Sequence, residues 1–177
     1  QKIAVHEVIE TGEDFHARFD ATSREYKYFI HFNKDPFAEK FSYRMRNTLD
    51  INKMNIAAEY ILGEHDFSCF EKTGGNNATS ICTITEASWS PYSPDHCRLM
   101  GTDWKEGDYI VFRIKANRFL RNMVRAIVGS LIEVGRGKRK PSWIADLIAN
   151  GSRSDAGTSV PGKALFFCGA SYGEAEK

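Results

Sequence analysis

Nine basic residues stand between Arg113 and Lys140, namely Arg113, Lys115, Arg118, Arg121, Arg125, Arg136, Lys138, Arg139 and Lys140, and Glu133 is the one acid among them. The segment therefore carries +8. The whole chain has 24 Lys+Arg against 23 Asp+Glu, a net +1, so the remainder carries −7. A planar guanidinium can grip two phosphate oxygens at once, which an ammonium cannot. A row of arginines on a rigid element suits a polyanionic backbone, above all a nucleic acid. Phe119, Leu120, Met123, Val124, Ile127, Val128, Leu131 and Val134 recur at helical spacing and predict the longest helix over 117–134. At about 100° per residue, Arg118, Arg121 and Arg125 then fall within roughly 60° of one another, with Asn122 and Gly129 on the same stripe. The competing reading is a solvated face paired with acids elsewhere. No acid precedes Glu133 on this helix, so pairing across one turn is absent.

Tyr26 and Tyr28 are a second place where chemistry is possible. They share one face of a strand predicted over 24–32. Tyr28 suits a core. Tyr26, at the edge of a basic cleft, suits stacking on an unpaired base, although packing against a core face explains it equally well. Glu64, His65 and Asp66, with a cysteine nearby, invite a hydrolase reading. Adjacent residues rarely converge on one substrate atom, and packing at a helix end is simpler. Cys69, Cys82, Cys97 and Cys168 form no C-x-x-C pair, so the usual zinc and redox spacings are missing. Reduced, packed cysteines of a cytosolic protein are the expectation. No glycine-rich nucleotide motif occurs.

Several elements must position these residues. Short strands are predicted over 2–10, 24–32, 81–89, 109–116 and 165–172. A turn and helix start are predicted over 11–14. Helices are predicted over 50–62, with Asp50 as N-cap and Gly63 as stop, over 117–134, and over 141–150, with Pro141 at its start and Gly151 after its end. Residues 71–80, 91–101 and 103–108 lack core-forming patterns and are expected to be loops. Strands joined by hairpin-like turns, with helices between them, imply an α+β domain: an antiparallel sheet with helices on one face. With 177 residues, 42% hydrophobic and 27% charged, the chain has enough apolar content for a core and is excluded from the disordered class. No stretch approaches the ~20 apolar residues of a membrane span. The chain begins Gln1-Lys2-Ile3, without Met, as a piece of a longer protein would.

Four blocks carry a resemblance. Phe15-His16-Ala17-Arg18-Phe19, with Ala21-Thr22, Arg24, Tyr26 and Tyr28, resembles the opening of the C-terminal half of bacterial TruA-type tRNA pseudouridine synthases. His65-Asp66-Phe67-Ser68-Cys69-Phe70 resembles that family's H-D-F-x-x-F segment. Residues Phe119 to Gly129 resemble its F-x-x-x-M-V-R-x-I-V-G helix. Arg153 to Pro161, followed by Ala164-Leu165-Phe166, resembles its closing R-x-x-A-G-T-x-x-P…G-L segment. The blocks occur in family order and span nearly all of the chain.

The resemblance implies isomerisation of uridine to pseudouridine at positions 38, 39 and 40 of the tRNA anticodon stem-loop, in the cytoplasm, by a homodimer and without a cofactor or metal. It implies that Tyr26 stacks on the target base, that Arg125 partners a catalytic aspartate, and that Leu165 lines the pocket, with Arg24 also on the substrate side. Arg18, Arg118, Arg121, Arg136, Lys138, Arg139, Lys140 and Arg153 are the expected RNA-binding residues. The family's aspartate lies in a G-R-T-D-A-G-V-H loop ahead of the F-H-A-R-F segment, and the 177 residues contain no such loop. Arg153-Ser154-Asp155-Ala156-Gly157 imitates it, but its neighbours fit the closing segment. The expectation is a C-terminal domain whose catalytic partner is an N-terminal half of the same protein, inactive alone. The alternative is a stand-alone RNA-binding module.

Overall fold

The computed structural model describes residues 3–74, 78–101 and 103–173. One sheet of six strands organises it. Its central strand is β1 (Ala21–His31), where Tyr26, Tyr28, Phe29 and Ile30 supply the aromatic and branched side chains that suit a pleated, half-buried surface. One edge of β1 pairs antiparallel with β5 (Tyr109–Ala116), with Tyr28 opposite Phe112 and Ile30 opposite Ile110. Beyond β5 come β4 (Ile81–Pro91) and β3 (Gly63–Asp66), both antiparallel to their neighbours. The other edge of β1 pairs with β6 (Leu165–Tyr172), and its last two residues pair with the parallel two-residue strand β2 (Tyr43–Arg44).

Alternation sends Tyr28, Ile30, Ile110, Phe112 and Ile114 to one face, where all five are fully buried. There they meet the helices. In α1 (Ile51–Glu59), Asp50 caps the start by accepting the Lys53 N–H at 3.0 Å, and Met54, Ala57 and Ala58 face the core. α3 (Met123–Gly135) is buried almost all round, and α4 (Trp143–Asn150) inserts Ile144 and Leu147. These side chains form one continuous cluster with the inner face of the sheet. Among the described residues, no helix is long and apolar enough to cross a membrane.

Four expectations change. Residues 3–10 form no strand: Ile3, Val5, Val8 and Ile9 are exposed, and no neighbouring strand takes up their backbone. A period of two does not make a strand without a partner. Lys2 lies outside the described residues, as do residues 75–77 of the expected 71–80 loop. Residues 11–14 make the expected turn, closed by Phe15 N–H to the Gly12 carbonyl at 3.0 Å, but no helix follows. Within 91–101, a short helix α2 (Asp95–Met100) runs from Pro94 to a left-handed Gly101. It packs Cys97 against Ala38 and Tyr109 in a second, small cluster.

The largest change concerns the arginine helix, which begins at Met123 and not at Asn117. Asn117 extends the β4–β5 ladder, exchanging bonds with Thr83 through its backbone N–H at 3.0 Å and its side-chain oxygen at 2.9 Å. Asn122, just before the helix, is left-handed with φ 65°, a conformation that interrupts a right-handed helix. Arg118 and Arg121 therefore do not share a helical stripe with Arg125. Tertiary hydrogen bonds overrode a correct apolar period.

Candidate functional site

Tyr26 lies one register step along β1 from the core. Its face continues that of Tyr28, yet it is only half buried. Phe119 meets its ring edge-on, with centroids 5.2 Å apart, and Phe167 on β6 lies at 5.4 Å. The ring is thus fixed in orientation by aromatic edges while part of it borders a cavity. Burial raises the phenol above its ordinary pKa, so it is neutral at physiological pH. Tyr28 is fully buried, and its hydroxyl donates to the Pro161 carbonyl at 2.9 Å, which makes it a core residue that pins the closing segment.

Arg125 comes from the first turn of α3. Its Nε–H donates to the Val160 carbonyl at 2.6 Å, and the Val160 N–H returns to the Arg125 carbonyl at 3.2 Å. Close approach makes this possible. A Cβ on Gly129, one turn further along, would fall on the carbonyl oxygen of Thr158. Ser130 Oγ accepts the Gly157 N–H at 2.8 Å. The closing segment therefore lies flat on α3. Among the described residues, no carboxylate forms an ion pair with Arg125, and its side chain is anchored through the Val160 carbonyl.

Tyr26, Arg125 and Leu165 meet in one cavity of about 320 Å³. Phe119, Leu120, Met123 and Val124 add apolar wall, and Arg18, Arg121 and Asn122 add polar rim. The cavity opens on either side into two further depressions. One, of about 900 Å³, shares Arg18, Tyr26 and Phe119 and adds Arg24 and Arg118. The other, of about 540 Å³, shares Asn122 and Arg125 and adds Lys72 and Arg153. Among the described residues, no aspartate or glutamate lines any of the three. The result is a basic trough with an apolar notch at its middle. A planar uncharged ring fits the notch, and the flanks suit a phosphodiester chain.

The arginines around the trough also build it. Arg24 donates through one nitrogen to the carbonyls of Ala21 and Asn117, both at 2.6 Å, and through the other to the carbonyl of Arg18. It staples the turn before β1 to the end of β5. Arg118 reaches the Thr79 carbonyl at 2.6 Å, and Arg121 reaches those of Thr73 and Gly74 at 3.2 and 3.3 Å. Arg153 donates to the Gly157 carbonyl and to Ser159 Oγ. Ser159 also accepts from Asn122 Nδ2 at 2.6 Å, so it bridges the helix start and the closing segment. Asn122 was on the sequence stripe; Lys72 and Ser159 gave no signal, since neither type nor spacing marks them.

Arg136, Lys138, Arg139 and Lys140 stand at the other end of α3. Arg136 lies eleven positions beyond Arg125, roughly 16 Å at the helical rise. None of the four lines the trough. Arg139 lies over the Trp143 ring at 4.9 Å and within 3.8 Å of Glu133.

The remaining chemical candidates are structural. Asp155 accepts the Ser152 N–H at 2.9 Å and its hydroxyl at 2.6 Å, bonds that hold its carboxyl below the ordinary value. It closes a tight turn and lies outside the trough. His65 donates to the Leu62 carbonyl at 2.8 Å, and Asp66 accepts the Ser68 N–H at 2.8 Å. These bonds shape β3 and the turn after it, whose Phe67, Cys69 and Phe70 are core residues. None of the four cysteines is in a disulfide, and three of them are buried. Burial pushes Cys69 up to about 12, which makes it inert.

A family model described as tRNA pseudouridine synthase matches residues 57–173. The chain is 44% identical over 173 residues to tRNA pseudouridine synthase A of Bacteroides fragilis, covering 97% of this chain and 63% of that protein. It is 42% identical over 172 residues to the Parabacteroides distasonis protein of the same name, again 97% and 63%. It is 37% identical over 175 residues to that of Colwellia psychrerythraea, 97% and 62%. The chain thus spans a little over three fifths of the length of the curated relatives it matches.

Proposed function

The chain belongs to the tRNA pseudouridine synthase family, and from that premise we propose that the trough is one wall of the cleft in which a tRNA uridine becomes pseudouridine. The supporting observation is the meeting of Tyr26, Arg125 and Leu165 in a single notch that lacks a carboxylate among the described residues.

The reaction breaks the bond from uracil N1 to ribose C1′, turns the ring and joins C5 to C1′, with the C5 proton leaving and N1 taking up a proton. It needs an aspartate as nucleophile or base. That aspartate comes from outside the 177 residues, in the G-R-T-D-A-G-V-H loop of an N-terminal half of the same protein. The Arg125 guanidinium, aimed by its bond to Val160, pairs with the incoming carboxylate and keeps it ionised. Tyr26 supplies a flat face for the extruded base, and Leu165 closes the notch against water. Arg18, Arg24, Arg118, Arg121 and Arg153 follow the RNA backbone on either side, with Arg136, Lys138, Arg139 and Lys140 as an outlying contact. The substrate is the anticodon stem-loop at positions 38, 39 and 40. The whole enzyme is a cytoplasmic homodimer with one tRNA touching both subunits.

Tritium release from tRNA carrying [5-³H]uridine is the test, because C5 loses its hydrogen only if the isomerisation occurs. The 177-residue chain alone is expected to release none, and the protein read through from its upstream coding sequence is expected to turn over. Robust release by the 177 residues alone would overturn this reading, and its loss in Asp155→Asn would move the nucleophile there. An upstream reading frame without the aspartate loop would leave a stand-alone RNA-binding module.

A further inference from the structure

On the sheet face opposite the main core, a polar cluster is built from three separate parts of the chain. Asp35 follows β1, His96 and Cys97 lie on α2, and Tyr109 opens β5. Asp35 Oδ1 accepts the N–H groups of Phe37 at 2.9 Å and Ala38 at 3.2 Å. Its Oδ2 accepts the Tyr109 hydroxyl at 2.8 Å and lies 2.7 Å from His96 Nε2. Cys97 Sγ lies 3.5 Å from the same His96 nitrogen and 3.4 Å from the Tyr109 oxygen. The carboxylate oxygen, the imidazole nitrogen and the sulfur all fall within 4.8 Å of one another. Asp35 and Cys97 are buried, and His96 is half buried.

Carboxylate and sulfur both address His96 Nε2. A catalytic relay uses opposite ring nitrogens, one to the acid and one to the nucleophile. Convergence on a single nitrogen is instead what a shared cation requires. We propose that Asp35, His96 and Cys97 form a binding site for a divalent transition metal, zinc by its mixed oxygen, nitrogen and sulfur donors.

The nitrogen–sulfur dimension agrees and the nitrogen–oxygen one is close. A tetrahedral zinc with the usual bond lengths holds its nitrogen and sulfur ligands ~3.6 Å apart and its nitrogen and oxygen ligands ~3.3 Å apart. The nitrogen–sulfur pair is already there at 3.5 Å. The nitrogen–oxygen pair, at 2.7 Å, must open by roughly half an ångström, a small shift for a histidine on a six-residue helix. Binding releases the Cys97 thiol proton and replaces the proton that His96 Nε2 gives to Asp35, leaving a neutral imidazole with its proton on Nδ1. Water takes the fourth position. Tyr109 stays on Asp35 as the partner that orients the ligand oxygen. The donors are 61 residues apart in sequence, so no local spacing could announce them. The metal would pin residues 34–42 and α2 to the outer face of the sheet, away from the RNA trough.

Cobalt(II) added to the metal-free chain is the direct probe. One equivalent per chain should bind with a near-ultraviolet thiolate-to-metal band and intense visible bands of a tetrahedral site, and zinc should displace it. Cys97→Ser should abolish the thiolate band, whereas Cys168→Ser, at an exposed thiol, should leave it intact. Tyr109→Phe should weaken binding about tenfold while keeping the band. Zinc should raise the melting temperature of the wild type and not of Cys97→Ser. Absence of one-to-one binding, or a band that survives Cys97→Ser, overturns the site. Should Cys97→Ser fail to fold, His96→Gln decides instead, and unchanged cobalt affinity there overturns the site equally.

Discussion

Arg125 and Val160 hold each other twice, through the Nε–H to the Val160 carbonyl at 2.6 Å and through the Val160 N–H to the Arg125 carbonyl at 3.2 Å. This reciprocal pair commits one guanidinium N–H to scaffolding, while the Arg125 side chain also lines the cavity. Lysine cannot do both, having one compact donor head. In the whole enzyme, Arg125→Lys should lower kcat at least a hundredfold in tritium release while the protein melts within a few degrees of wild type. Arg125→Ala should in addition cost about 1–3 kcal/mol in urea unfolding, because it strands the Val160 carbonyl. A lysine variant with normal kcat would show that Arg125 only supports the closing segment.

Gly129 sets how near that segment can come. Its missing Cβ is where the Thr158 carbonyl sits, and a Cβ on Gly157 would lie only 2.7 Å from the Ser130 nitrogen. Gly129→Ala should force the two apart and cost about 1–3 kcal/mol by overpacking. Because the displaced residues carry Val160 and Ser159, RNA affinity should fall as well. Gly137→Ala, in open space at the other end of α3 but at φ 72°, should lower stability through its backbone and leave affinity unchanged.

Asn122 takes the left-handed conformation that starts α3, at φ 65°, and ties its side chain to Ser159 at 2.6 Å. The two contributions separate by substitution. Asn122→Ala should lose about 2 kcal/mol, part from the disfavoured backbone and part from the hydrogen bond. Asn122→Gly should recover the backbone part and lose only about 1 kcal/mol. Equal losses in chemical denaturation would refute the backbone argument.

How the sequence and the structure differ is clearest in these same residues. Strand β5 was legible because its burial alternates with the pleat and β1 because it is rich in aromatic and branched residues, while Asp50 and Gly151 marked helix ends through backbone chemistry that is local. The start of α3 was not. Residues 117–122 keep a helical apolar period, yet Asn117 is claimed by Thr83 and the Arg121 carbonyl by the Lys72 N–H at 3.0 Å, both distant in sequence. Likewise Tyr26, Arg125 and Leu165 could be brought together beforehand only by resemblance. Their meeting depends on the register that sets Tyr28 against Leu165 and Tyr26 against Phe167. Lys72 and Ser159 joined the site with no signal at all. The segment 113–140, with its nine basic residues, was correctly seen as positive, but the fold puts Arg113 and Lys115 on β5 and divides the other seven between the two ends of α3.

That division gives a salt experiment. Arg118 and Arg121 border the trough, and RNA bound there would give up counterions from its phosphates. Replacing both by glutamine should weaken binding to an anticodon stem-loop. The slope of log affinity against log salt should shrink by roughly 0.7 for each phosphate no longer neutralised on single-stranded backbone. Filter binding across a salt series measures it. An unchanged slope would mean that these arginines serve only to hold the carbonyls of Thr73, Gly74 and Thr79.

His31 sets a pH dependence of folding. Its ring is fully buried beside Tyr109, and neither nitrogen has a hydrogen-bond partner among the described residues, although Glu39 lies 3.7 Å away. Burial lowers its pKa below the ordinary 6.5, and the attraction of Glu39 and Asp35 only partly offsets this. The neutral ring is therefore the folded form, while the unfolded chain binds the proton near pH 6.5. Stability should be flat above about pH 7 and fall as the pH drops through roughly 6.5, levelling once the folded-state pKa is passed. His31→Phe should flatten that decline below about pH 7 in urea titrations. Asp35 acts lower down: burial works to raise it, but the hydrogen bonds from Tyr109, His96 and the Ala38 and Phe37 backbone outweigh that and hold it below 3.8. Its contribution is present above that value and disappears only as the pH falls further, so the two losses occupy separate windows. A decline through about pH 6.5 that persists unchanged in His31→Phe would assign it to another group.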